Sequence, residues 1–179
     1  MQKLVEAVQK KGPVCVGLST QYSFQAGLHQ TKERYGGRKD TEFNCAIIDA
    51  TEDIAGCFKL QIACYEALGL DGMQAFAKTL QYARSRGNVT ITDAKSAGTS
   101  PSTAVQYATA HFSGDFETDV MTINVFMGED AVSPYYPYLE QGKGVFALVK
   151  TSNPSGKDFQ DLIVDGETLY ERTARLRVG

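Results

Sequence analysis

The sequence lacks a long hydrophobic run and an excess of basic residues, and both absences exclude functional classes. Its apolar stretches are as short as single β-strands, so we expect no segment that crosses a bilayer. The 18 Lys and Arg residues are balanced by 21 Asp and Glu residues, for a net charge of -3. This balance, without a basic block, argues against binding to nucleic acid through neutralised phosphates. Residues 1–7 are charged and amphipathic and lack the apolar core of a signal peptide, which favours a cytoplasmic protein.

Metal-ligating side chains are also scarce. The four cysteines and two histidines are Cys15, Cys45, Cys57, Cys64, His29 and His111, and none belongs to a C-x-x-C pair. This spacing does not support a zinc site, and we predict no bound metal. Each cysteine lies within an apolar pattern, which predicts buried free thiols in a reducing compartment.

Length and composition indicate one globular domain. The chain has 179 residues, of which 42% are hydrophobic and 22% charged, so it can bury one sizeable core but not two. It contains no internal repeat, low-complexity segment or linker. We therefore expect a single domain over residues 1–179.

Short apolar runs alternate with longer helical patterns. Strands are predicted at residues 13–18, 57–60, 88–93, 119–125 and 144–149. Helices are predicted at residues 43–55, 65–86 with a break near 69–72, 102–111, 131–139 and 167–175. This alternation predicts an α/β fold with a parallel sheet covered by helices. Sites in such folds form beyond the carboxyl ends of the strands.

Three charged residues lie at those ends. Lys59 stands within an apolar strand and needs a partner, because an unpaired buried ammonium is unfavourable. Asp93 and Lys95 are two residues apart, so a strand would direct both side chains to the same side. Such an array could stabilise negative charge on a substrate, and one lysine could donate a proton. Alternatively, Lys59 and Asp93 form an ion pair that only satisfies buried charge.

Several segments carry a family resemblance when they are taken in order. They are residues 16–18, 43–50 and 58–66, the Thr92-Asp93-Ala94-Lys95 start of a D-x-K signature, and residues 122–128, 149–162 and 166–171. Each segment alone is weakly specific, but the ordered set covers nearly the whole chain. On these residues the chain resembles the orotidine 5'-phosphate decarboxylase family, in its longer bacterial branch.

The resemblance implies a dimeric, TIM-barrel-like β/α protein that acts without a cofactor. The implied reaction converts orotidine 5'-monophosphate to uridine 5'-monophosphate and carbon dioxide, in pyrimidine biosynthesis. By this resemblance Lys95 protonates the carbon that loses carbon dioxide, and Asp93 crowds the departing carboxylate. Lys59 has an orienting and charge-neutralising role. Thr103 matches a threonine near the ribose and phosphate, and Ser152 matches a loop serine that contacts the pyrimidine.

Two departures from the family concern acids. Ser19 stands where the family has an aspartate that contacts the ribose and the active-site lysine. The second aspartate of the signature, which the partner subunit receives in its active site, is missing from residues 96–103, where Gly98 or Thr99 takes its place. Ser19 remains a candidate substrate-binding residue, together with Asn124 at the end of the fourth strand.

A larger departure concerns the size of the barrel. A complete eight-stranded barrel rarely has fewer than about 200 residues, and only the first five strands are predicted here. In the family the last three strands carry the loops that hold the phosphate, including an arginine. Arg172, Arg175 and Arg177 do not match that arginine and are expected on a solvated helical face. We therefore expect a partial barrel with two unpaired edges.

Three hypotheses about function stay open. The first is an enzyme of the decarboxylase family, weak or active, which rests on the retained Lys59, Asp93, Lys95 and Ser152. The two missing acids and the missing phosphate site predict a severe loss of that activity. The second is a non-catalytic relative, a pseudoenzyme that binds a nucleotide or has a structural role. The third is a fragment of a longer enzyme. A homodimer is expected because residues 96–102 correspond to a segment that crosses the family's dimer interface.

Overall fold

Five strands form one parallel sheet whose order follows the chain. The computed structural model describes residues 1–19, 36–96, 98 and 100–175. The strands are β1 (Cys15–Gly17), β2 (Cys57–Gln61), β3 (Thr90–Ser96), β4 (Val120–Asn124) and β5 (Gly144–Leu148). Each strand pairs in parallel with the next one in the sequence. The predicted α/β fold is confirmed, and among the described residues β1 and β5 each have one unpaired edge.

Helices connect the strands. They are α1 (Gln2–Lys11), α2 (Gly36–Thr51), α3 (Ile62–Glu66), α4 (Gly69–Ser85), α5 (Pro101–Phe112), α6 (Tyr136–Glu140), α7 (Lys157–Gln160) and α8 (Leu169–Ala174). The predicted break in residues 65–86 lies slightly earlier than expected, between α3 and α4. Gly69 begins α4 with a φ of 69°, a left-handed conformation that glycine adopts without a steric penalty.

Alternation along β2 separates a buried face of the sheet from the face that carries charge. Phe58 and Leu60 are fully buried, in one cluster with Ile48 of α2 and with Phe76 and Leu80 of α4. Each large apolar side chain buried in this way contributes about 1.5–3 kcal/mol. Because strand side chains alternate, the residues between and after Phe58 and Leu60 point to the opposite face.

The first helix covers the amino ends of the strands. Leu4 and Ala7 of α1 pack against a cluster that includes Cys57, Ile91 and Val120, each of which is the first or second residue of its strand. This contact places α1 at the end of the sheet opposite to the carboxyl ends, where the charged residues were predicted.

A short antiparallel hairpin precedes the last helix and was not predicted. It pairs β6 (Ile163–Val164) with β7 (Glu167–Thr168). The two residues between the strands, Asp165 and Gly166, have φ values of 53° and 85°, as in the tight turns that favour Asp-Gly. The helix predicted at 167–175 is therefore wrong at its start, because residues 167–168 form a strand. Thr168 caps α8 and forms a reciprocal capping box with Glu171, a known start signal for helices.

The prediction of buried free thiols is only partly correct. The four cysteines are free, but Cys15 is exposed, Cys45 and Cys64 are half-buried, and Cys57 alone is buried. Cys15 is exposed because, among the described residues, β1 is an edge strand of the sheet. Among the described residues, no helix has both the length and the apolar character required to span a membrane.

Three of the residues named from the sequence, His29, Thr99 and Arg177, lie outside the described residues. Arg172 and Arg175 are exposed, as predicted. Arg172 pairs with Asp165 at 2.8 Å, and Arg175 pairs with Glu167. Both guanidinium groups are therefore engaged by the hairpin that precedes α8.

Candidate active site

Asp93 is the centre of a charged cluster at the carboxyl end of the sheet. Its Oδ2 lies 3.1 Å from Lys59 Nζ, and its Oδ1 lies 2.5 Å from Lys95 Nζ. Thr122 donates from its hydroxyl to the same Oδ1 at 2.9 Å. The structure thus brings together the three residues that the sequence predicted to converge, and adds Thr122 to them.

Strand register explains how Lys59 reaches Asp93. Gln61 is the direct partner of Asp93 across β2 and β3, and Lys59 is the partner of Ile91. Lys59 therefore starts two residues before the level of Asp93 and on the same face of the sheet. Its long side chain runs toward the carboxyl end and meets the carboxylate there.

Lys95 reaches Asp93 through an irregular backbone. Its φ is 50°, and the pairing of β3 with β4 shifts between Thr92 and Ser96. A residue other than glycine in this conformation costs about 1–3 kcal/mol and persists only where its surroundings hold it. The Lys95 amide donates to Thr122 Oγ1 at 2.9 Å, and this bond supports the bulge. The predicted proximity of Asp93 and Lys95 is correct, but it depends on this bulge rather than on regular alternation.

The cluster keeps Asp93 ionised. Partial burial of the carboxyl raises its pKa, but hydrogen bonds from Lys95, Lys59 and Thr122 outweigh burial, and the net effect lowers the pKa of Asp93 from its ordinary value. At neutral pH one carboxylate therefore lies between two ammonium groups. The array has a net positive charge that suits an anionic substrate.

Both lysines remain accessible to solvent. The side chains of Lys59 and Lys95 are 35% and 45% exposed, whereas that of Asp93 is 12% exposed. With two positive charges and one described carboxylate in contact with them, water supplies much of the remaining stabilisation. Within the described residues, both ammonium groups are therefore open to contact with a dissolved ion.

Ser19 follows the end of β1, which a buried network ties to β2, the strand that carries Lys59. The Leu18 amide donates to the Lys59 carbonyl at 2.8 Å, and the Tyr65 hydroxyl donates to the Leu18 carbonyl at 2.5 Å. Asn44 in turn donates to the Tyr65 hydroxyl at 3.0 Å. The half-buried Ser19 follows Leu18 directly, so its position is tied to the strand that carries Lys59.

Gly98 and Thr103 meet at the start of α5. A Cβ atom on Gly98 would lie 2.4 Å from the Ala104 amide nitrogen, so the backbone as it stands leaves no room for a side chain at this position. Gly98 cannot stand in for the aspartate of the signature. Thr103 is exposed in the first turn of α5, with its Oγ1 3.3 Å from Ser100 Oγ, and makes no described hydrogen bond to the Asp93 cluster.

Asn124 and Ser152 also lie outside the hydrogen-bonded cluster. Asn124 Oδ1 accepts a hydrogen bond from the Phe126 amide at 2.9 Å, which orders the turn after β4. Asn124 lines a cavity of about 320 Å³ together with Leu148 and Tyr170. Ser152 is exposed in the loop after β5. Within the described part of the chain, neither residue is seen to form a hydrogen bond with the three charged side chains.

Thr122 and Gln61 are site residues that sequence analysis missed. The Gln61 amide is satisfied when its nitrogen donates to the Asp93 carbonyl and its oxygen accepts from Lys95 Nζ at 3.2 Å. The alternation of side chains along a strand could have identified both residues. Gln61 is two residues after Lys59 and Thr122 is two residues before Asn124, so each shares a face with a residue that was predicted. In the described residues, no group of three or more His, Cys, Asp and Glu side chains could hold a metal ion.

Comparisons with known proteins identify the family of the chain. The model of the "Orotidine 5'-phosphate decarboxylase / HUMPS family" matches residues 12–177. The orotidine 5'-phosphate decarboxylase of Clostridium novyi is 48% identical over 175 residues, which cover 96% of this chain and 60% of that protein. The enzyme of the same name from Clostridium perfringens strain SM101 is 46% identical over 94% of this chain and 59% of that protein. The chain therefore spans about 60% of the length of these curated relatives.

Solved structures show the same fold. The orotidine monophosphate decarboxylase of Leishmania donovani superimposes with a TM-score of 0.80 at 28% identity, over 97% of this chain and 62% of that chain. The uridine monophosphate synthase of the same organism also gives a TM-score of 0.80 at 28% identity, over 96% of this chain and 35% of that chain. The five-stranded sheet thus corresponds to part of a larger barrel in these proteins.

Proposed function

The chain belongs to the orotidine 5'-phosphate decarboxylase / HUMPS family, and we propose that it acts on orotidine 5'-monophosphate through Lys59, Asp93 and Lys95. The product is uridine 5'-monophosphate, a step of pyrimidine biosynthesis. The observation that carries the proposal is the Asp93 carboxylate, which is hydrogen-bonded to both lysines at 3.1 and 2.5 Å.

Each charged group has a part in the proposed reaction. When the substrate carboxylate leaves as carbon dioxide, its electron pair stays on the pyrimidine carbon. The Lys95 ammonium gives that carbon a proton, and the resulting amine recovers a proton from water. Lys59 offsets the negative charge that develops on the ring. Asp93 holds both ammonium groups and disfavours the bound carboxylate by like-charge repulsion, so carbon dioxide loss relieves that repulsion.

We expect this activity to be severely impaired in the 179-residue chain. Ser19 supplies no carboxylate beside Lys59, and Gly98 leaves no room for a side chain. Each 1.36 kcal/mol of lost transition-state stabilisation lowers the rate about tenfold.

An ultraviolet assay of orotidine 5'-monophosphate turnover tests the proposal. We expect slow turnover that is abolished in Lys95→Ala and Lys59→Ala variants. Lys150→Ala is the matched control, because Lys150 pairs with Asp161 at 2.6 Å away from the cluster. Turnover no higher than in Lys95→Ala, with the chain folded, would reject the catalytic proposal.

A non-catalytic, nucleotide-binding role is the second candidate. The exposed ammonium groups of Lys59 and Lys95 can still attract an anion. The serine at position 19 lacks the carboxylate that would support catalysis. Both features favour this candidate. Calorimetric titration with uridine 5'-monophosphate separates the two candidates. Binding that requires Lys59 and Lys95, without turnover, supports the second candidate, and absence of binding leaves a structural role.

We also propose a cytoplasmic homodimer of single-domain chains. The sequence of residues 96–102 corresponds to the family's interface segment, and this resemblance supports the assembly. Light scattering of the purified chain measures its mass directly. A monomer at concentrations well above those of the assay would reject the dimer.

A further inference from the structure

Two cysteines are direct neighbours on the first two strands. Cys15 of β1 is the register partner of Cys57 of β2. Neighbouring strands lie about 4.7–4.9 Å apart, which is within the Cα separation of about 4.4–6.8 Å that a disulfide bridges. Both residues point to the same face as Lys59, which follows Cys57 by two positions.

The two thiols are in contact but differ in access to solvent. Cys15 is exposed, whereas Cys57 is 5% exposed and packs in the cluster with Ile91 and Val120 beneath α1. Burial and a hydrogen bond with Cys15 raise the pKa of the Cys57 thiol to about 12. The exposed thiol can therefore meet a dissolved reagent, while the buried thiol is held beside it.

We propose that Cys15 and Cys57 form a reversible disulfide, installed by a low-molecular-weight disulfide such as oxidised glutathione. No other pair of cysteines is matched across strands in the described residues, because Cys45 lies in α2 and Cys64 in α3. The modification is thus specific to the β1–β2 pair.

The chemistry proceeds by two exchange steps. The Cys15 thiolate attacks one sulfur of the reagent, forms a mixed disulfide and releases one thiol. The Cys57 thiolate then attacks the Cys15 sulfur and releases the second thiol, so two protein thiols are oxidised and one reagent disulfide is reduced to two thiols. The second step is slow at neutral pH because the Cys57 thiolate is scarce, and its rate rises about tenfold per pH unit below the pKa.

The disulfide would couple redox conditions to the candidate active site. It joins β1 and β2 covalently two residues before Gly17 and Lys59, which are themselves register partners. The closed loop of chain includes Ser19. Oxidation would therefore restrict the movement of β2, which carries Lys59, relative to β1, which leads to Ser19. The disulfide itself involves no residue of the charged cluster.

Incubation of the 179-residue chain with oxidised glutathione, followed by thiol counting and peptide mapping, tests the proposal. We expect the number of free thiols to fall from four to two, with a 15–57 cross-link that dithiothreitol reverses. A Cys57→Ser variant should stop at a glutathione adduct on Cys15. A Cys45→Ser/Cys64→Ser variant should still form the cross-link, which controls for the other thiols.

Three outcomes would overturn the proposal. They are retention of all four thiols, separate glutathione adducts on Cys15 and Cys57, and a cross-link that contains Cys45 or Cys64. The map of the unsubstituted chain distinguishes these outcomes, so the test does not depend on the folding of any variant.

Discussion

The Thr122 hydroxyl connects the Asp93 carboxylate to the irregular backbone at Lys95. Its hydroxyl donates to Asp93 Oδ1 at 2.9 Å and accepts from the Lys95 amide at 2.9 Å. One side chain on β4 thus orients the carboxylate and also supports the left-handed backbone of Lys95.

A Thr122→Val substitution should destabilise the fold by about 1–3 kcal/mol, since it removes a hydrogen bond to a charged group and leaves the Lys95 amide without its acceptor. The pKa of Asp93 should rise because one of its donors is lost. Urea unfolding and carbon NMR of the Asp93 carboxyl measure the two effects.

Thr92→Val is the matched control on the neighbouring strand. The Thr92 hydroxyl is fully buried and, among the described residues, has no hydrogen-bond partner. Its removal should be neutral or should stabilise the fold by up to about 1 kcal/mol. Equal destabilisation by both substitutions would contradict the specific role of Thr122.

His111 should make the fold less stable in mild acid. Burial lowers the pKa of His111 to about 4 from 6.5, and within the described residues its Nδ1 has no partner. The unfolded chain therefore binds the proton more readily, so stability falls as pH decreases from about 6.5 to about 4, by about 3 kcal/mol in total. A His111→Leu variant should lose this part of the pH dependence in urea unfolding.

The other histidine of the chain supplies a control. His29→Asn should leave the acid dependence from pH 6.5 to 4 unchanged if His111 is its source. A pH dependence that disappears with His29→Asn and persists with His111→Leu would reverse the assignment.

Gly98 should tolerate no larger residue. A Cβ atom there would lie 2.4 Å from the Ala104 amide nitrogen and 2.8 Å from the Thr103 Cβ, so Gly98→Ala must shift the start of α5. We expect a loss of about 1–3 kcal/mol. Gly17→Ala is the control, because a Cβ atom at Gly17 meets nothing within 4 Å. Thermal unfolding of the two variants should differ accordingly.

Ser19→Asp should raise turnover of orotidine 5'-monophosphate about tenfold or more, equivalent to about 1.4 kcal/mol. A carboxylate at this position would lie beside the strand that carries Lys59 and would compensate its positive charge. Ser19→Asn has a similar shape without the charge and should give no gain. A gain with Asn that equals the gain with Asp would show that charge is not the cause.

Regular periodicity accounts for what the sequence predicted well. The strands around Phe58 and Ile123 carry buried apolar side chains, and the polar residues at and after their ends identify the carboxyl ends. Lys59, Asp93 and Lys95 could be grouped because the ends of parallel strands meet at one edge of a sheet. These inferences need only local sequence and the side-chain alternation of strands.

Contacts between distant segments account for part of what was missed. The bulge at Lys95 depends on the Thr122 hydroxyl of another strand, which no local pattern reveals. The β6–β7 hairpin was missed although Asp165-Gly166 is a strong sequence signal for a tight turn. The exposure of Cys15 could not be predicted from its apolar neighbours, since it follows from the edge position of β1.

The sheet order has a consequence for how the molecule opens. Because every strand pairs with its successor in the chain, the pairs can form one after another as synthesis proceeds, without waiting for a distant segment. Among the residues that the structure describes, β2, β3 and β4 are paired on both sides, whereas β1 and β5 are paired on one. Amide hydrogens of the three inner strands should therefore exchange with solvent most slowly, and opening of the sheet should begin at β1 or β5.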